Sequence, residues 1–85
     1  MKLWAKIICG EKLRQNIVMV DKLPLTRANY ETFLMEICHQ LDISTPVTLP
    51  THFRYLDSFN IVKYLPRDFI ERVDFDFFTI ENIGQ

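Results

Sequence analysis

Glycine is almost missing from this 85-residue chain, where Gly10 and Gly84 are the only two. Loops that cradle phosphate with successive backbone amides are glycine-rich, and a calcium-binding loop needs a glycine at its sharp bend, so both are excluded. Cysteine is equally sparse. Cys9 and Cys38 lie far apart and form no CxxC, a usage that fits two buried thiols in a reducing compartment, with a Cys9–Cys38 disulfide the less favoured arrangement. An excess of either charge is also missing. Ten Lys plus Arg stand against 11 Asp plus Glu, for a formal charge of −1, and the cations are interleaved with acids. No basic stripe exists to supply phosphate affinity, so nucleic acid is not an expected partner. No stretch approaches the roughly 20 apolar residues of a membrane helix, so a membrane is not expected as a partner either. Lys2 and Lys6 interrupt the apolar start Met1–Ile8, which therefore reads as a strand instead of a signal peptide. The expected location is the cytoplasm.

What the chain does have is apolar mass. It is 48% hydrophobic with seven Phe, three Tyr and one Trp, too much for a disordered segment. Residues 1–85 are expected to form one small globular domain. A domain of this size buries only about 60 to 65% of its unfolded surface, so nearly every large apolar side chain is needed for the core. A deep private active-site cleft is not expected.

Lys2 to Cys9 alternates, with Leu3, Ala5, Ile7 and Cys9 on one face and Lys2, Trp4, Lys6 and Ile8 on the other. Residues 10–15 supply a loop, longer than the ideal two residues, into the β-branched run Ile17–Val20, giving an antiparallel hairpin. A slip of one residue would exchange the faces of its second strand. Thr26 is placed to cap a helix over residues 26–42, in which Tyr30, Phe33, Leu34, Ile37, Cys38 and Leu41 form an apolar stripe. A shorter helix is favoured within residues 47–59, from the stripe Leu49, His52, Phe53, Leu56 and Phe59, with Asn60 as its stop. Ile61–Leu65 reads as a third strand, and Pro66–Phe69 as a tight turn or one turn of 3₁₀ helix with Asp68 available to cap it. Val73–Ile80 reads as the last strand, although its apolar side changes at Phe77-Phe78, which requires a bulge or cover on both faces. The order β-β-α-α-β-β points to a two-layer α+β fold, a mainly antiparallel four-stranded sheet with one long amphipathic helix and a shorter second one.

Three phrases, Leu3–Ile7, Met35–Val47 and Asp68–Asp76, resemble a group of small bacterial cytoplasmic proteins of unknown function. The similarity spans almost the whole chain. It implies a free-standing domain and carries over no catalytic residue, ligand or partner.

Few residues are spaced for chemistry. Glu36 and His39 form a Glu-x-x-His on one helix surface, but a carboxylate-bridged metal pair needs a second such motif and two further acids from a four-helix bundle. Cys38 and His39 are adjacent and point about 100° apart on a helix, a poor pair for one tetrahedral metal. Ser44 and Ser58 fit turns and helix ends, without a GxSxG or Cys-His signature. Asp74 and Asp76, with Asp68 upstream, would sit about 7 Å apart on a strand and form the densest acid group. A charged, aggregation-blocking strand face accounts for them. Phe75, Phe77, Phe78 and Trp4 lack the basic neighbours of an RNA-stacking platform and read as core.

The distribution of apolar residues carries more. If Leu3, Ala5 and Ile7 face the helices, Trp4 and Ile8 lie on the other side of the sheet, joined by Ile17 and Met19 or by Val18 and Val20, with Phe78 and Ile80 as further candidates. An apolar patch there marks a partner surface, and a second copy of the chain is its simplest occupant. The expected function is a non-enzymatic protein-interaction module, with Trp4, Ile8 and Phe78 as the contact and Lys2 and Lys6 at the rim. No cofactor is implied. The competing reading is a small-molecule- or metal-binding enzyme or sensor built on His39, His52 or the Asp68, Asp74 and Asp76 acids.

Overall fold

The computed structural model describes residues 1–84. Strands β1 (Lys2–Cys9) and β2 (Lys12–Val20) are followed by helices α1 (Arg27–Leu41) and α2 (Pro50–Phe59), then by β3 (Ile61–Tyr64), a 3₁₀ turn at Pro66–Asp68, and β4 (Phe77–Gly84). The four strands form one antiparallel sheet in the order β2-β1-β4-β3. This is the expected α+β fold. Leu3, Ala5 and Ile7 of β1, Val62 and Tyr64 of β3, and Phe78 and Ile80 of β4 share one core with the six-residue stripe of α1 and with Leu56 of α2.

Each helix is delimited by chemistry its sequence carries. The Thr26 hydroxyl oxygen accepts from the Asn29 amide at 3.2 Å, and the Asn29 side-chain oxygen accepts in return from the Thr26 amide at 2.8 Å. This reciprocal cap satisfies two otherwise orphaned donors at the start of α1. Asp42 ends the helix in the left-handed region at φ 57°. Helix α2 begins at Pro50, where a missing N–H costs nothing. His52 takes the place of a cap, its Nδ1 accepting from the Leu49 amide at 2.8 Å. Asn60, at φ 58°, stops α2 and turns the chain directly into β3.

The core holds a short chain of hydroxyls. Tyr30 and Tyr64 meet oxygen to oxygen at 2.8 Å, and Tyr64 meets Thr48 at 2.9 Å, so each buried phenol has a hydrogen-bond partner. Burial pushes both phenols up, Tyr64 to about 12 and Tyr30 further.

Three expectations need correction. The first hairpin turns on two residues, Gly10 and Glu11, with Cys9 opposite Lys12. Gly10 supplies the positive φ of 65° that so short a turn requires. The register then shifts, since Ile7 faces Gln15 while Ile8 faces Leu13, leaving Arg14 as the extra residue of a bulge. Cys9, at the end of β1, is exposed and not a core thiol; it and the buried Cys38 are both free. The last strand begins at Phe77 and not Val73. Phe75 reaches the core from an irregular segment, edge-on to Phe69 with ring centroids 5.4 Å apart. The change of face at Phe77-Phe78 therefore marks where loop becomes strand.

Candidate functional site

Antiparallel pairing fixes which side chains share the sheet face turned away from the helices. Trp4 stands opposite Val18, Lys2 opposite Val20, and Ile8 opposite both Leu13 and Phe77. Directly opposed residues point to the same side of a sheet, so Trp4, Ile8, Leu13, Val18, Val20 and Phe77 share the outer face. Of the two sets left open by the sequence, Val18 and Val20 join Trp4, while Ile17 and Met19 pack against the core. Val20 is 69%, Val18 50% and Leu13 48% exposed. Trp4, Ile8 and Phe77 are half-buried.

Polar groups punctuate this surface. The Lys6 ammonium lies 4.1 Å from the Trp4 ring centre and 3.9 Å from a Glu81 carboxylate oxygen. The Trp4 indole N–H donates to the Asn16 side chain at 3.1 Å, which holds the ring in place. Lys2 is exposed beside them.

Four of the five expected contact residues, Trp4, Ile8, Lys2 and Lys6, thus lie on one face. Phe78 does not. It is 0% exposed, opposite Ile7 and packed against Tyr64 and Phe69 on the helix side, and Ile80, two residues on, is buried in the core with it. Phe77 takes its place. The signal was present in Phe78-Thr79-Ile80-Glu81, where apolar and polar residues alternate and put Phe77 on the side of Thr79 and Glu81.

The competing constellation is scattered. His39 and Glu36 are exposed on α1. His52 is buried, with its Nε2 3.5 Å from a carboxylate oxygen of Asp68, and that same oxygen accepts from the Leu65 amide at 2.7 Å. Asp74 accepts from both terminal nitrogens of Arg14 at 3.1 and 3.0 Å. These hydrogen bonds and the guanidinium charge hold its carboxyl below the usual range. Asp76 accepts from the Gly10 amide at the hairpin turn. Asp74 and Asp76 precede β4, so they do not sit together on a strand. Each carboxylate pins a loop. Burial pushes the Cys38 thiol up to about 12, which keeps it protonated and unreactive. Among the described residues, no three His, Cys, Asp or Glu side chains gather as a metal site requires, and no helix is long and apolar enough to cross a membrane.

Compared with protein-family models, curated proteins and solved structures, the chain matches none.

Proposed function

We propose that this domain is a non-enzymatic protein-interaction module whose outer sheet face pairs with a second copy of the same chain. The observation that supports this reading is the run of apolar residues across the face, Leu13, Val18 and Val20 beside Trp4, Ile8 and Phe77. Contiguous apolar patches on the surface of a soluble chain serve association. A second copy suits its charge pattern. The face carries Lys6 and Glu81 close together, so a two-fold axis through it would bring cation toward anion in both directions. Sheet would pack on sheet, with Trp4 as a central aromatic anchor. The exposed Cys9 and buried Cys38, both free thiols, fit a reducing compartment such as the cytoplasm.

The test is Trp4→Asp. Because Trp4 is half-buried on the outer face and makes no part of the core, the variant is expected to keep its circular dichroism spectrum and elute from a sizing column as a monomer under conditions where the parent elutes as a dimer. A folded variant that still elutes as the dimer would refute the sheet-face interface.

A further inference from the structure

The sheet has a second unpaired feature, at its other end. Strand β3 is an edge strand, bonded only to β4. The Asn82 amide donates to the Asn60 carbonyl at 2.7 Å, which makes Asn60 and Asn82 a hydrogen-bonded pair. Bonded and non-bonded pairs alternate along an antiparallel ladder. Val62 and Tyr64 therefore turn their backbone groups toward β4, while Ile61 and Lys63 turn theirs outward. Among the described residues, neither Ile61 nor Lys63 makes a backbone hydrogen bond to a loop or cap.

Beside this edge runs a groove of about 570 Å³, walled on one side by α2 and on the other by the outward-turned residues of β3. Its size falls within the range of ligand sites, roughly 300 to 1,000 Å³. Leu49, Tyr55, Ile61 and Leu65 give it apolar sides. Lys63 and Arg67 give it positive charge, and neither is in an ion pair among the described residues. The one acid on its wall, Asp68, is already engaged by the Leu65 amide and by His52. Thr79 also lines the groove. It is 7% exposed, and its hydroxyl has no hydrogen-bond partner, an arrangement a buried polar group does not normally keep.

We propose that the open edge of β3 and the groove beside α2 form a docking site for an extended acidic peptide segment of a partner protein, which adds to the sheet as a fifth strand. Outward amides and carbonyls at Ile61 and Lys63 supply the backbone bonds of strand addition. The groove receives alternate side chains of the added strand. Lys63 and Arg67 select carboxylates among them. This site lies at the β3 edge and adjoins the Trp4 face, since the Lys63 ammonium lies 4.2 Å from the ring centre of Phe77, but strand addition uses the backbone of Ile61 and Lys63 and not the apolar side chains of that face.

The probe is an end-blocked hexapeptide alternating valine and glutamate, compared with its valine–lysine counterpart and with a copy N-methylated at alternate amides. Binding is followed by amide NMR and hydrogen exchange on the intact chain. The acidic peptide is expected to bind about tenfold more tightly than the basic one and to slow exchange at Ile61 and Lys63, whose outward amides are expected to exchange quickly in the free protein. N-methylation is expected to abolish binding. The double variant Lys63→Glu, Arg67→Glu should reverse the preference toward the basic peptide, which a merely structural role for these residues would not produce. Failure of the acidic peptide to bind, equal binding of both peptides, or shifts confined to the Trp4 indole and Val18 would each overturn the proposal. The last of these would leave the sheet-face reading standing, and loss of dimerisation with binding at β3 intact would do the opposite.

Discussion

Tyr64 shows how one residue ties the fold together and sets its response to pH. Its ring lies near Phe78, with centroids 6.0 Å apart, and near His52 at 4.6 Å, while its hydroxyl joins Tyr30 to Thr48. Burial raises its phenol from 10 to about 12. The folded state therefore holds this proton more tightly than the unfolded chain does. The associated stability is fully present below pH 10 and is lost as pH rises toward 12. A shift of that size corresponds to about 2 to 3 kcal/mol, and Tyr30, raised further, adds to the loss in the same direction. Alkaline unfolding is expected within this window, with phenolate absorbance from Tyr30 and Tyr64 appearing together with the loss of helical circular dichroism. Phenolate signal from both residues in a still-folded chain would contradict the burial described here. The stripe along α1 makes Tyr30 legible as core in the sequence. The Tyr30–Tyr64 contact is not, because it joins residues 34 positions apart whose meeting depends on how α1 lies on the sheet.

Elements differ in how much of their structure is local. Helix α1 is almost entirely local: a 3.6-residue stripe, a capping threonine, and a stop within a residue of where the periodicity ends. Thr26→Ala removes the acceptor for the Asn29 amide and is expected to lower stability by about 1 kcal/mol, read as a shift in the denaturation midpoint at unchanged slope. An unchanged midpoint would show that the Asn29 half of the cap suffices. Strands β2 and β4 are less legible. In β2, Lys12–Gln15 carries charge and no β-branched residue, so it reads as loop, yet the two-residue turn at Gly10-Glu11 draws it into pairing with β1. In β4, Val73, Phe75 and Phe77 imitate the alternation of a strand. The true start is displaced because Phe75 is buried against Phe69, while Asp74 and Asp76 are tied to Arg14 and Gly10. These are contacts between distant parts of the chain, and no local pattern encodes them.

At the scale of the whole molecule, two layers cover only one side of the sheet. Both helices contribute to the core with Leu3, Ala5 and Ile7, and the opposite side keeps its apolar residues without a helix. The existence of that face was legible from the alternation of β1 alone, which separates Trp4 and Ile8 from the core set. Its extent was not, because it depends on the register of β2 and β4 against β1. That register brings in Leu13, Val18, Val20 and Phe77 and sends Phe78 inward. The β3 groove was not legible at all, since it arises where Asn60 folds α2 back beside an edge strand. The most direct test of the central claim is native mass spectrometry of the intact chain over a concentration series. The sheet-face account predicts a species of twice the 10.2 kDa chain mass, growing with concentration and absent from the Trp4→Asp variant. A bare monomer at every concentration would contradict it.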